Sequence, residues 1–280
     1  MNIEKLVKLY MNDGYSRQDA EAKVSQDIIL IKISKSKFSR NITVKGGVVM
    51  HSISSDIRRA TRDLDLDFIR YSLEDESIIN FIKQLNDVDD NIKIEVVGKI
   101  KPLHHQDYDG KRVLLKLIDI SNNSLNTKLD IGVHKLFEIE QDEYCFNFDI
   151  AKENANLLIN SKEQIFTEKL KSLLKLGVAS TRYKDIFDFY YLINVSKLNN
   201  DKLKNCFDIL IFNDEKMREN NMQDILKRLE MILNIKAYRD KLSDPKVNWL
   251  DISLSEAIES VLKYIENLNK LPSYAMSNKN

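Results

Sequence analysis

The chain predicts an α+β fold: a mixed sheet with flanking helices first, then a C-terminal helical lobe. Three observations carry this. Up to about residue 155, short segments alternate apolar and polar residues with the period of two that a strand imposes. Beyond that point the apolar residues recur every three to four positions, the spacing of an amphipathic helix. No internal repeat or low-complexity linker interrupts either half, and 280 residues are enough to bury two cores. The implied division is 1–155 for the sheet domain, 156–271 for the helical domain and 272–280 for a frayed tail rich in Ser, Asn and Lys.

Taken in order, residues 2–11 and 16–35 read as helices, the second opened by Ser16 ahead of Gln18-Asp19-Ala20-Glu21-Ala22. A β-branched strand at 42–45 ends in a turn at Gly46-Gly47, after which residues 48–53 begin a helix. Strands follow near 64–69, 92–98, 111–120 and 126–133, with a helix at 74–86 between the second and third strands. Asp107-Tyr108-Asp109-Gly110 marks a turn before the strand at 113–120. Helices are expected near 162–176, 182–196, 200–213, 216–234 and 253–269, with Pro245 in the break before the last. A sheet lobe and a helical lobe of this kind imply a cleft between them.

The chemistry concentrates in Arg58-Arg59-Ala60-Thr61-Arg62-Asp63-Leu64-Asp65-Leu66-Asp67-Phe68. On a strand, Asp63, Asp65 and Asp67 share one face and Leu64, Leu66 and Phe68 the other. Like charges spaced roughly 6.5–7 Å apart along a strand destabilise it unless water solvates them or a cation bridges them. Upstream, Gly46-Gly47 would let backbone N–H groups approach phosphate oxygens, and the following helix would add partial positive charge. Carboxylates beside phosphates suit Mg²⁺, with Mn²⁺ as a substitute. A further acid, Asp130, stands on the polar face of the strand at 126–133. Beside the first strand, it would complete a site for two ions about 3.5–4 Å apart. Each signal alone has an ordinary structural explanation: solvated strand acids, a plain turn, a single surface Asp. Their combination favours ligands. Asp63/Asp65 and Asp65/Asp67 both satisfy Asp-x-Asp.

Other residues divide into one candidate and several structural ones. From Ser161 to Lys184 the basic residues Lys162, Lys169, Lys171, Lys175, Arg182 and Lys184 outnumber Glu163 and Glu168, which suits a triphosphate or RNA backbone. Lys169 borders the apolar stripe of Ile165, Phe166, Leu170, Leu173 and Leu174, so it either snorkels or points into a cleft. His104, His105 and His134 lack metal-site spacing and read as surface or packing residues. Trp249, Tyr183, Phe187, Tyr190 and Tyr191 read as core, with base stacking as the alternative for Tyr183. No P-loop, dinucleotide fingerprint or Ser-His-Asp arrangement is present. The 43 basic and 43 acidic residues balance, so no global basic field announces nucleic acid. Cys145 and Cys206 have no zinc spacing and suggest a reducing compartment. The start of the chain lacks an apolar signal segment and the apolar run at 28–31 is too short to span a bilayer, which predicts a cytoplasmic protein without a membrane partner.

Gly46-Gly47, Arg59-x-Thr61-x-Asp63-Leu64-Asp65-Leu66 and the later Asp130 resemble the DNA polymerase β-type nucleotidyltransferase superfamily. Glu168-Lys169-Leu170 with Leu173-Leu174, followed by Arg182-x-Lys184-Asp185-x-x-Asp188-Phe189-Tyr190, is similar to the AbiEii/AbiGii (MenT-like) toxins of bacterial toxin–antitoxin and abortive phage infection systems. The likeness spans roughly 25–195. It implies a nucleotidyltransferase-type sheet and Mg²⁺-dependent transfer of NMP from an NTP to an RNA acceptor, foremost the tRNA 3′ end, with release of pyrophosphate. It also implies a cognate antitoxin. In that pattern Asp63 is the first acid; Asp63 and Asp65 hold metal, and Asp130 completes the metal site and helps deprotonate the acceptor. Gly46, Gly47, Arg59 and Thr61 bind nucleotide, and Lys169 neutralises phosphate charge. Asp185 is a catalytic helper or an anchor for Lys169; Asp67, Asp188 and Lys184 are secondary candidates. The chain departs from the pattern at Val48, where relatives often carry a small hydroxyl residue; Ser52, Ser54 or Thr61 would have to substitute. Two other readings stand beside this one. An Asp-x-Asp glycosyltransferase would leave Gly46-Gly47 and Asp130 without roles, and a non-catalytic interaction protein would leave three acids without one.

Overall fold

The computed structural model describes residues 1–103 and 110–271; His104, His105, the expected turn at Asp107-Tyr108-Asp109 and the tail from Pro272 lie outside the described residues. The chain divides into two compact units, Met1–Asn160 and Ser161–Asn280.

The first unit runs α1 (Ile3–Asn12), α2 (Arg17–Lys35), β1 (Ile42–Lys45), α3 (Gly46–Ser54), a 3₁₀ turn at Ile57–Arg59, β2 (Leu64–Ile69), α4 (Asp75–Leu85), β3 (Ile92–Val96), the short β4 (Lys101–Pro102), β5 (Lys111–Asp119), β6 (Ser124–His134), β7 (Asp142–Phe148) and β8 (Glu153–Ile159). Asn2 and Ser16 cap the first two helices, accepting from the Lys5 and Asp19 amides. The strands form one mixed sheet in the order β3-β5-β6-β2-β1-β8-β7, with β4 beside β5. The pairs β2–β6 and β1–β8 are parallel; the other pairs are antiparallel.

α2 is buried on all sides along its second half: Ile28, Ile29, Leu30, Ile31 and Ile33 are at most 1% exposed. Even Lys32 is enclosed, its ammonium 2.7 Å from Asp90 and 3.1 Å from the Val88 carbonyl. Ion pairing and a hydrogen bond are what make a buried ammonium tolerable. Phe68 of β2 meets Phe81 of α4 edge to face, ring centres 5.3 Å apart, so Leu64, Leu66 and Phe68 take the core side. Strand alternation then sends Asp65 and Asp67 to the opposite face.

The second unit is helical: α5 (Lys162–Leu176), a 3₁₀ turn at Gly177–Ala179, α6 (Asp185–Tyr191) running into a π segment at Leu192–Ser196, α7 (Asn200–Phe207) running into a second at Asp208–Phe212, then α8 (Met222–Leu233), α9 (Lys236–Leu242) and α10 (Leu254–Asn269). Ser161 and Ser253 cap α5 and α10 by accepting from the amides of Gln164 and Glu256, three residues on. Phe166, Phe189 and Phe207 form the aromatic centre of this unit.

The architecture is α+β, as the sequence predicts, with several local differences. Helix α3 starts at Gly46 itself, with Lys45 extended as its N-cap, so no turn separates it from β1. The hairpin of β7 and β8 was not anticipated, nor was α9. The helix expected from 216 begins only at Met222, because the Asn221 side chain caps it by accepting from the Asp224 amide. The helix expected from 182 begins at Asp185. No described helix is long and apolar enough to cross a membrane.

Candidate active site

The polar face of β2 is built by its neighbours. Across four strands the register aligns Arg112 of β5, Asp130 of β6, Asp65 of β2 and Lys45 of β1 in a single row. The charges read plus, minus, minus, plus. Asp65 and Asp130 are thus direct partners on parallel strands, and registered residues share a face of the sheet. Asp67 falls opposite Thr43 on one side and Gly132 on the other. Asp63 lies one residue before β2, half-exposed, with its carboxylate 2.6 Å from Lys128 of β6.

Each outer acid has a basic partner from an adjoining strand. Arg112 reaches Asp130 with two hydrogen bonds, Nε to Oδ1 and Nη2 to Oδ2, both 2.7 Å. This two-pronged geometry is the strong form of the ion pair. Lys45 Nζ stands 2.7 Å from Asp67 Oδ1, which has no hydrogen-bond alignment, so that contact is one of charge alone. Arg112, Lys128 and Lys45 were not among the expected site residues. Nothing in local spacing reveals them, since they meet the acids only through strand pairing.

The two glycines let α3 approach the acids. Gly46 has φ +69°, and a Cβ there would lie 2.6 Å from Asp65 Oδ2. A Cβ on Gly47 would lie 2.7 Å from the Thr61 hydroxyl and 2.8 Å from its Cβ. Only glycine brings the start of this helix so close to Asp65 and Thr61. No side chain caps α3, which leaves the geometry of an anion site at its amide end. Val48 is 4% exposed and packs inward, so its side chain does not replace a phosphate-facing hydroxyl. Of the alternatives, Ser54 donates to the His51 carbonyl, while Thr61 lies against the glycine pair. From α2, Gln26 Nε2 donates to the carbonyls of Thr61 (2.8 Å) and Asp63 (3.4 Å), fixing the approach to β2. Arg59 is buried in the turn before it. On α3, burial and then the nearby Lys23 and Arg59 cations pull the His51 pKa down to about 4, so its imidazole is neutral at pH 7. Tyr15 Oη lies 2.9 Å from its Nε2.

Gly46→Ala is expected to cost roughly 1–3 kcal/mol, since the residue must hold a left-handed conformation and press against the carboxylate. A thermal melt checks this; an unchanged melting temperature would show that α3 does not depend on the close approach to Asp65.

The second unit holds a separate charged cluster. Lys169 on α5 is 3% exposed and its ammonium lies 2.5 Å from Asp185 and 2.9 Å from Asp188, both on α6. Arg182 also contacts Asp185, at 2.9 Å, and the Trp249 indole donates to Asp188 at 3.1 Å. At the stripe's edge the Lys169 charge does not snorkel to solvent; it is enclosed within the second unit and doubly paired. Lys184 is the residue immediately before α6, and half-buried Tyr183 makes a ring contact with Tyr238 at 5.8 Å. Trp249, 1% exposed, is core.

Among the described residues no group of three His, Cys, Asp or Glu side chains is assembled to hold a metal ion. The donor chemistry nevertheless fits Mg²⁺ or Mn²⁺. Asp65 and Asp130 are hard oxygen donors in register on one face, and Mg²⁺ is typically held by one or two carboxylates together with substrate phosphates.

A comparison with curated proteins finds no match. The family model described as "Nucleotidyl transferase AbiEii toxin, Type IV TA system" matches residues 28–259, which takes in the glycine pair, all the acids of β2 and β6, and the Lys169 cluster. The chain belongs to the AbiEii family of nucleotidyl transferase toxins.

Proposed function

We propose that the chain transfers NMP from an NTP to an RNA acceptor, foremost the tRNA 3′ end, in an Mg²⁺-dependent reaction that releases pyrophosphate. The resulting arrest of translation would serve a toxin–antitoxin system and defence by abortive phage infection, with a cognate antitoxin as partner. The observation that supports this reading best is the in-register pair Asp65 and Asp130 beside the glycine-opened start of α3.

In this reading Asp65 and Asp130, with Asp63 at the strand's entrance, hold the metal. Bound there, Mg²⁺ would neutralise phosphate charge and favour the ionised acceptor hydroxyl. The amides of Gly46 and Gly47 bind phosphate oxygens, with Arg59 and Thr61 supporting the nucleotide. An Asp130 oxygen takes the proton of the acceptor hydroxyl, whose oxygen forms a bond to the α-phosphorus. The bond from that phosphorus to the bridging oxygen breaks, and pyrophosphate leaves with the electron pair. Asp185 and Asp188 hold Lys169 in a buried cluster of the second unit, with Lys184 just before Asp185 in the sequence, and that cluster keeps the helical unit folded. Asp67 holds Lys45 at the edge of the row.

Incubating the purified chain with each α-labelled NTP, total tRNA and Mg²⁺ tests the proposal. Label on RNA is the expected result. Turnover of a sugar nucleotide instead would move the chain to glycosyl transfer, and no reaction with either would make it a binding protein.

A further inference from the structure

The row across the sheet contains a residue for which the proposed reaction gives no role. Arg112 occupies both oxygens of Asp130 at 2.7 Å, and these are the atoms that would ligate a cation. Asp130 is 7% exposed, whereas the Arg112 side chain is 39% exposed and has room to leave. The same guanidinium also lies in the field of Asp63 and Asp65. It sets a positive charge beside two carboxylates that stand in register on neighbouring strands.

We propose that Arg112 is a positioning residue that masks Asp130: it holds the carboxylate as an internal counter-ion and must swing away before a divalent cation binds there, so that cation and nucleoside triphosphate bind together. This rests on the metal-dependent reading above. The guanidinium fork matches phosphate oxygens as well as carboxylates, so a triphosphate entering beside α3 offers Arg112 a new partner as it gives up Asp130. A cation alone offers no such exchange and must compete with a two-pronged ion pair. The acidic face thereby stays compensated when no substrate is bound.

The test is a Mn²⁺ titration of the full chain, read from the paramagnetic resonance signal of the free ion, for wild type, Arg112→Gln and Arg112→Lys. Without nucleotide, Arg112→Gln should bind Mn²⁺ roughly tenfold or more tighter than wild type, because a competing positive charge is gone. A non-hydrolysable NTP analogue should tighten Mn²⁺ binding in wild type and do so less in the variant. Mn²⁺ binding by wild type that is unchanged or weakened in Arg112→Gln would overturn the masking role and leave the metal site standing. Absence of Mn²⁺ binding in every protein, with and without nucleotide, would remove the metal site and the masking role together. Should circular dichroism show Arg112→Gln unfolded, Arg112→Lys decides on the same terms. It keeps the charge and loses the fork, so roughly threefold tighter binding supports masking and no change overturns it.

Discussion

Asp65→Asn should lower nucleotidyl transfer by about 1,000-fold or more, equivalent to about 4 kcal/mol of transition-state stabilisation, while the protein stays folded. Asn keeps the shape of Asp and removes one negative charge from the centre of the row. Asp65 is central in position as well as in chemistry: it pairs with Asp130 on one side and Lys45 on the other, and it meets the start of α3. The substitution also relieves repulsion with Asp130 across the strand pair, so the melting temperature should stay within roughly 4 °C of wild type. Transfer rates on labelled RNA, read beside a melting curve, check both halves. A well-folded Asn variant that still transfers at near wild-type rate would show that the row is not the metal face.

The largest effect on stability is expected at Lys169→Met. Lys169 neutralises two carboxylates in the interior of the second unit, and Asp188 is fully buried. Removing one partner of a buried ion pair leaves charge enclosed in a medium that solvates it poorly, typically at a cost of about 3–5 kcal/mol. Arg182 still contacts Asp185, and Trp249 still donates to Asp188, so the loss falls on the missing ammonium rather than on every bond of the cluster. Denaturant unfolding measures it, and adding Asp188→Asn should recover part of the loss by removing the surplus charge. A cost below about 1 kcal/mol would contradict the buried-pair account. Activity lost in Lys169→Met therefore cannot be assigned to chemistry until this instability has been corrected for.

What could be read from the sequence was whatever depends on neighbours along the chain. The Asp63, Asp65, Asp67 alternation marks a strand with an acidic face because side chains alternate on any strand. Ser16 marks a helix start because a cap bonds to an amide three residues on. Residues 142–148 carry the same alternation: Phe146 and Phe148 are buried while Glu143, Cys145 and Asn147 are exposed, the period of a half-buried strand. Asn221 caps α8 by the same geometry as Ser16, accepting from the amide three residues on.

What could not be read was set by pairing between distant segments. Arg112 lies 18 residues before Asp130, and only the β5–β6 register brings them together. Lys45 and Lys128 meet Asp67 and Asp63 for the same reason. The glycines show the limit most clearly. A Gly-Gly after a strand reads as a turn, but the need for two glycines comes from Asp65 and Thr61 pressing on the helix start, which is a tertiary fact. Lys169 is similar: helical spacing put it at the edge of an apolar stripe, and α6 then covered it with two acids.

We propose that this sheet face directs attack at the α-phosphorus of an NTP. Parallel reactions with α-labelled and γ-labelled NTP, total tRNA and Mg²⁺ test it most directly. The account predicts that label from the α position becomes attached to RNA, that label from the γ position is released as pyrophosphate, and that Asp65→Asn abolishes both. Transfer of γ-label to any acceptor, or α-label transfer that survives Asp65→Asn in a folded protein, would contradict it.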